Sequence, residues 1–242
     1  MSLNPKNIYL KNSLLAFIPA RGGSKRFPKK NIAHFFKKPL ISYPIGEILK
    51  SKIFTNIIVS TDDKKIMEVS KKYGARTIKR SKKNSGDLIH ELAACREYFS
   101  ILQRQGCELP EYFCVIYPTA IFLKAKDIKK SFKLIDKNNK VDVVMGISKF
   151  NYHPYKAMFY NKRGYLSTVF VNKVKARSQY YENMYASNGT FYWHRTKSFL
   201  EKKYSGHYAD NLIGYELESF SSMDIDYKKD LLNLKKIFRI QK

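Results

Sequence analysis

Residues Arg21, Lys25, Arg26, Lys29 and Lys30 crowd five cations into one short stretch, FIPARGGSKRFPKKN (17–31). The same stretch holds adjacent glycines, Gly22 and Gly23, then Ser24 and finally Asn31. Glycine lets a backbone come close to a ligand, and N–H groups exposed in such a turn can cradle phosphate oxygens. Ser24 adds a hydroxyl donor and the cations add charge, so a triphosphate is the guest that suits the loop. The spacing GxxxxGK[ST] is absent, which excludes a P-loop, and GxGxxG is absent, which excludes a dinucleotide fingerprint. A basic surface turn would explain the glycines and lysines. It would not explain a serine and an asparagine set inside a long cationic loop directly after an apolar run. Arg21 lies nearest the end of that run, whereas Arg26 sits mid-loop, where a solvated side chain is expected.

The second constellation is SSMDIDYKKD (221–230). Asp224 and Asp226 are two apart, so in an extended segment both face one side. Two such carboxylates repel unless a hard cation sits between them. Mg²⁺ (or Mn²⁺) suits the pair, because it takes few carboxylates and completes its shell with phosphate oxygens. The competing reading is a capping pair that opens the last helix, and Asp226 can serve both ends. Asp230, one turn on, reads as a surface residue. Asp62 and Asp63 follow a strand end and read as helix-capping acids. Ser85 and Asp87 also read as caps. His153 and His207 show no partner in the sequence, and no Ser–His pairing suggests a covalent intermediate.

These groups need a scaffold, and the hydrophobic pattern supplies one. Apolar runs at 14–18, 55–61, 112–119 and 141–148 read as strands. Segments 39–52, 62–74, 87–106 and 125–137 have helical spacing, two of them closed by Gly74 and Gly106. Strand–helix alternation with nearly continuous apolar strands predicts an α/β fold, a parallel sheet covered on both faces. In such sheets ligands bind beyond the carboxyl ends of the strands, which is where residues 19–31 fall. After Ser148 the rhythm changes. Residues 149–186 are rich in Tyr, Lys and Asn and predict an antiparallel excursion, an arm that packs on a second subunit. The alternation resumes with a strand at 190–194, a helix at 198–204, a strand at 213–220 and a closing helix at 227–238.

The whole chain sets the bounds. Its 242 residues fit a single domain with an inserted element, and 44% hydrophobic residues are enough for a core. No run reaches the length of a membrane span, and the first residues lack the apolar centre of a signal peptide. Cys95, Cys107 and Cys114 are odd in number and form no CxxC, which fits thiols in a reducing cytoplasm. Lys+Arg number 46 against 20 Asp+Glu, a net charge of +26. A nucleic-acid-binding module is one reading of that charge, with the tyrosines of 149–186 stacking on bases. The lysines are scattered, however, so a solvated surface that attracts small anions is the better one.

The motif PARGGSKRFPKKN resembles the signature of the acylneuraminate cytidylyltransferases, which activate sialic-type nine-carbon sugar acids with CTP. KKPLISYPI, IIVSTDD and the Asp-x-Asp at 224–226 follow in that family's order, and the likeness runs from about residue 13 to about residue 238. It implies a Rossmann-like, mostly parallel sheet of the nucleotide-diphospho-sugar transferase type, with an antiparallel dimerisation arm. It implies that Ala20, Arg21, Gly22, Ser24, Lys25, Lys30, Asn31 and Arg80 hold CTP. Arg21 and Lys30 would neutralise charge on the α-phosphate and the leaving pyrophosphate, and Asp224 and Asp226 would hold Mg²⁺. IYPTAIF stands where sialic acid enzymes carry Gln-Pro-Thr-Ser-Pro, so Tyr117 replaces the glutamine, and Pro118 and Thr119 remain. Tyr117 here, and Arg177, Gln179, Phe191, Tyr192 and Trp193 in RSQYYENMYASNGTFYWH, are closest to the pseudaminic acid branch. Residues 187–190, Ser-Asn-Gly-Thr, depart from that branch's Asp-Ala-Gly-Gln. The implied sugar site is Tyr117, Thr119, Arg177, Gln179 and Tyr192. The implied partners are CTP, a nine-carbon sugar acid and a second copy of the chain, not nucleic acid or membrane. N-acetylneuraminate, legionaminate and 3-deoxy-octulosonate are the alternative sugars.

Overall fold

The computed structural model describes residues 9–86, 89–175, 177–201, 206–218 and 225–240. Its centre is a seven-stranded sheet. The strands, in chain order, are β1 (Tyr9–Pro19), β4 (Asn56–Thr61), β5 (Arg76–Lys79), β6 (Leu109–Ile116), β7 (Val143–Lys149), β10 (Tyr185–Arg195) and β11 (Leu212–Glu216). In space the order is β11-β7-β10-β6-β1-β4-β5. Every neighbouring pair is parallel except the two made by β10, which runs antiparallel to both β6 and β7.

Alternation along β1 shows how the sequence builds the layers. Leu14, Ala16 and Ile18 join one core with helices α1 (Ser42–Ser51), α2 (Lys64–Lys72) and α4 (Ala125–Asp136). Leu15 and Phe17 join the other with α3 (Leu92–Arg104) and α5 (Thr196–Glu201). A strand buried on both faces needs apolar residues at every position, and its run LLAFI provides them. Trp193 on β10 is fully buried, stacked on Phe54 at 5.3 Å, and its Nε1 donates to Ser131 Oγ at 3.0 Å.

A third apolar cluster sits at the carboxyl end of the sheet. It joins Phe27 of the first loop, Phe35 of the hairpin β2 (His34–Phe35) and β3 (Lys38–Pro39), Leu40 just after that hairpin, and Ile121 beyond β6. Ile225, Leu231 and Leu234 complete it from the start of the last helix, α6 (Lys228–Ile240). Burial of each such side chain contributes about 1.5–3 kcal/mol. The cluster therefore ties the cationic loop to the segment that carries Asp226.

Three expected elements differ in the structure. The helix expected over 87–106 begins at Leu92, and Asp87 lies outside the described residues. The strand expected at 190–194 is the eleven-residue β10, which also takes in Tyr185 and Ala186 from the end of the expected arm. Tyr185 pairs with Lys149 and Ala186 with Ser148, so the segment between them leaves and re-enters the sheet on adjacent strands. It contains the small antiparallel hairpin of β8 (Met158–Tyr160) and β9 (Leu166–Thr168). The strand expected over 213–220 is β11, which ends at Glu216. Among the described residues no helix is long and apolar enough to cross a membrane.

Candidate active site

The first loop is braced from the β4 side. Ala20 N–H donates to Ser60 O at 2.9 Å, which extends strand pairing one residue past β1. Gly22 N–H donates to Asp62 Oδ1 at 2.7 Å. Asp63 caps α2, its Oδ1 accepting from Lys65 N at 2.7 Å and Ile66 N at 3.0 Å. A Cβ on Gly22 would stand 2.8 Å from Asp63 Cβ, so glycine is required by this close approach. The capping role expected of Asp63 holds, whereas Asp62 instead anchors the loop. Asn31 is buried, and its Nδ2 donates to Arg21 O at 3.0 Å. Ser24 N–H is likewise committed, to Gly22 O at 3.0 Å. The N–H groups of Ala20, Gly22 and Ser24 are thus spent on the fold, and the loop's cationic side chains add charge for anions.

Those side chains line a cleft of about 380 Å³ at the carboxyl ends of β1 and β6. Arg21, Ser24, Lys25, Arg26, Lys30 and Asn31 line it from the first loop, Tyr117, Pro118 and Thr119 from the end of β6, and Asp226 from the segment ahead of the last helix. Lys30 Nζ is 3.2 Å and Arg26 Nη2 3.0 Å from Asp226 Oδ1. Arg26 also lies over the Tyr227 ring at 5.6 Å. It is thus solvated, as its mid-loop position suggests, and is paired as well. Asp224 lies outside the described residues. The helix cap falls to Asp230 rather than to Asp226, because Asp230 Oδ2 accepts from the N–H groups of Asp226 at 3.0 Å and Tyr227 at 2.7 Å.

Behind Tyr117 runs a chain of polar groups that the sequence did not reveal. The Tyr117 hydroxyl donates to Glu91 Oε1, which also accepts from His207 Nε2 at 2.8 Å. His207 Nδ1 is 2.8 Å from Nε2 of the fully buried His194. Tyr192 stacks flat on His207 at 3.6 Å, and its hydroxyl meets Ser187 Oγ at 2.6 Å. Burial pushes the Glu91 carboxyl up, but the hydrogen bonds from His207 and Tyr117 outweigh it and hold it at about 2. Burial holds His207 and His194 below the ordinary histidine range. Both histidines expected to lack partners have them: His207 as described, and His153 by accepting from Tyr155 N at 3.2 Å and meeting Glu182 O at 2.9 Å.

The family model described as cytidylyltransferase matches residues 15–242. The chain belongs to the cytidylyltransferase family. It is a nucleotidyltransferase, and its fold agrees with that. The structure of CMP:2-keto-3-deoxy-manno-octonic acid synthetase complexed with CTP superposes with a TM-score of 0.67 at 13% identity, over 95% of this chain and 100% of that one. Among curated relatives, pseudaminic acid cytidylyltransferase of Campylobacter jejuni (strain 81-176) is 34% identical over 228 residues, 93% of this chain and 96% of the relative. N-acylneuraminate cytidylyltransferase A of Danio rerio is 31% identical over 218 residues, 89% of this chain and 48% of that protein.

Within this cytidylyltransferase, the other expected site residues are spread unevenly. Arg80, at the carboxyl side of β5, is buried and gives its Nε and Nη2 to Ser60 Oγ at 3.2 Å and Ser60 O at 3.1 Å. With β4 between β5 and β1, it is not among the residues that line the cleft. Tyr192 packs edge-on to Tyr117 at 5.9 Å, beside the cleft rather than on its wall. Arg177 and Gln179 are exposed in the segment between β9 and β10 and do not line the cleft. Residues 187–190, where the resemblance departs, form an irregularity in the β10–β7 pairing between Ser187 and Tyr192. Gly189 has φ +62 there, Asn188 Oδ1 accepts from Thr190 Oγ1 at 2.6 Å, and Thr190 O accepts from Tyr117 N at 3.0 Å. The backbone of this stretch, through Thr190 O, holds the N–H of Tyr117.

Among the described residues, two places offer metal-ligand chemistry. Asp226 is a hard oxygen donor on the cleft beside the cationic loop, and Mg²⁺ is served by one or two carboxylates plus phosphate oxygens, so that donor fits. His90, Glu91 and His207 bring three ligand-type atoms within 4.8 Å of one another. Two of the three donors are imidazoles, which suit softer ions than Mg²⁺. Hydrogen bonds to Glu91 from Tyr117 and His207 already account for the cluster.

Proposed function

We propose that this cytidylyltransferase joins CTP to a nonulosonic acid, pseudaminic acid or a close relative, giving the CMP-sugar and pyrophosphate. The observation that carries this is the match along 96% of a pseudaminic acid cytidylyltransferase, laid on a cleft whose cationic loop faces a carboxylate. The anomeric hydroxyl of the sugar attacks the α-phosphorus in line. The new P–O bond forms as the bond to the bridging oxygen of the β-phosphate breaks, and pyrophosphate leaves with that electron pair. The hydroxyl proton passes to solvent or to pyrophosphate. Arg21, Lys25, Arg26 and Lys30 hold the triphosphate and offset the charge that develops on it. Mg²⁺, or Mn²⁺, held by Asp226 with Asp224, would supply further charge neutralisation at the phosphates. Ser24 and Asn31 steady the loop, with Ser24 giving a hydroxyl to phosphate. Arg80 supports the nucleotide end through Ser60.

Tyr117 and Thr119 line the sugar end of the cleft, and Tyr192 supports it by packing edge-on to Tyr117. Arg177 and Gln179 serve the sugar from a second subunit. A homodimer built on residues 149–186 is the arrangement that places them there, and the exposure of Tyr152 (87%), Tyr160 (76%) and Tyr165 (70%) supports it. The cytoplasm, where CTP is available, is the expected location.

The test is a panel of CTP, ATP, GTP and UTP against pseudaminic acid, legionaminate, N-acetylneuraminate and 3-deoxy-octulosonate, with RNA as a control, reading pyrophosphate. Release is expected with CTP and a nonulosonic acid only. Release with 3-deoxy-octulosonate alone, or with no sugar acid, would overturn the reading.

A further inference from the structure

The buried groups behind Tyr117 do not line the cleft, and a carboxylate removed from water requires strong compensation. Glu91 stands just ahead of α3 and its side chain is largely buried. Ionised, it can only accept hydrogen bonds. Tyr117 must therefore donate its hydroxyl proton to Glu91, and His207 must donate from Nε2. A neutral His207 then has only an acceptor at Nδ1, so His194 Nε2 carries the proton between them. Every link in this chain has one direction: His194 to His207 to Glu91, with Tyr117 donating from the other side.

We propose that Glu91, oriented by His207 and His194, is a positioning residue that fixes Tyr117 at the sugar end of the cleft and makes its hydroxyl oxygen a pure acceptor toward substrate. The consequence is a chemical preference. With its proton committed to Glu91, Tyr117 favours a sugar acid that presents a donor, a hydroxyl or an acylamino N–H. It disfavours one that presents only an acceptor there. His207 extends the same control to Tyr192, whose ring it stacks, and Tyr192 in turn packs edge-on to Tyr117. Thr190 holds the backbone N–H of Tyr117 in the irregular stretch of β10. The tyrosine is thus fixed at both ends, as substrate selection requires. The inference rests on the reading that Tyr117 faces the sugar rather than the nucleotide.

The experiment compares Glu91→Gln, Tyr117→Phe and the double variant. Two readouts are used: KM for CTP and for the sugar acid, and the hydroxyl proton of Tyr117 in NMR without substrate. Each single change is expected to raise the sugar-acid KM about tenfold while leaving the CTP KM within about twofold. The double variant should be no worse than the worse single, because both remove one link. The wild type should show a slowly exchanging downfield hydroxyl resonance that vanishes in Tyr117→Phe and moves upfield in Glu91→Gln. Equal rises in both KM values, additive losses, or no such resonance would overturn the proposal. So would stoichiometric zinc in the purified enzyme that is lost in Glu91→Gln, which would make His90, Glu91 and His207 a metal site. If the wild type uses no sugar acid, the specificity claim falls with the reading of function, and the resonance still decides whether the relay exists.

Discussion

Lys30 Nζ lies 3.2 Å from Asp226 Oδ1, joining two residues 196 positions apart in the chain. Arg26 reaches the same oxygen from the same loop. The carboxylate thereby sets the direction of two cations that face the cleft. Asp226→Asn should lower pyrophosphate release from CTP at least about a hundredfold, a barrier change of roughly 2.7 kcal/mol. Thermal stability should barely move, because partly exposed ion pairs contribute about 0–1 kcal/mol. Activity within about tenfold of wild type would remove Asp226 from the reaction.

Arg21→Ala and Arg26→Ala should each cut kcat/KM for CTP by about tenfold or more, whereas Lys29→Ala should stay within about twofold. Arg21 and Arg26 line the cleft and Lys29 does not. The Arg26 side chain is 58% exposed, so its contribution should fade as salt rises. Equal, small losses in all three would mean that the loop acts only through diffuse charge.

Gly22→Ala tests the close approach of the loop to α2. The added methyl would meet Asp63 Cβ at 2.8 Å, and neither backbone can yield freely. A stability loss of about 1–3 kcal/mol is expected, with a higher KM for CTP as the loop shifts. Gly23→Ala is the control, since nothing lies within 4 Å of a Cβ there. Indistinguishable melting of the two variants would refute the argument.

Acid should weaken the fold in two windows. Burial holds the folded-state pKa of His194 and His207 below 6.5, so the unfolded chain takes up their protons first. Their contribution is complete above about pH 6.5 and is lost as the pH falls below it. Glu91 sits at about 2 in the folded state against 4.5 unfolded. Its contribution, at most about 3 kcal/mol, is present above pH 4.5 and is lost as the pH falls toward 2. Urea midpoints measured from pH 8 to pH 3 should show both declines. Glu91→Gln should flatten the lower decline and His194→Phe should shrink the upper one. A midpoint constant from pH 7 to pH 4 in the wild type would contradict this account.

Light scattering should find a dimer, and mixing Arg177→Ala chains with Asp226→Asn chains should restore part of the lost activity. The basis is the exposed aromatic surface between β7 and β10, together with the absence of Arg177 from its own chain's cleft wall. A fully active monomer would exclude the shared site. A dimer without complementation would return Arg177 to its own chain.

The layers and the anion loop are legible in the order of the residues. Burial on both faces of β1 demanded an unbroken apolar run, and Leu14–Ile18 shows it without any contact map. A cationic loop directly after a parallel strand has one place to go, because strand ends open on the ligand side. Asp63 could be read as a cap because capping is local. The tertiary structure alone decided what depends on partners distant in sequence. Asp62 serves the loop rather than its helix because Gly22 lies across from it. Arg26 is aimed by Asp226, 200 residues away. Glu91 and His207 were ordinary letters, one in LIHELAA and the other in SGHYAD, until β10 ran antiparallel between β6 and β7 and brought His194 beside them. Periodicity reports which face of an element is buried, but not which polar group waits in the layer it is buried against.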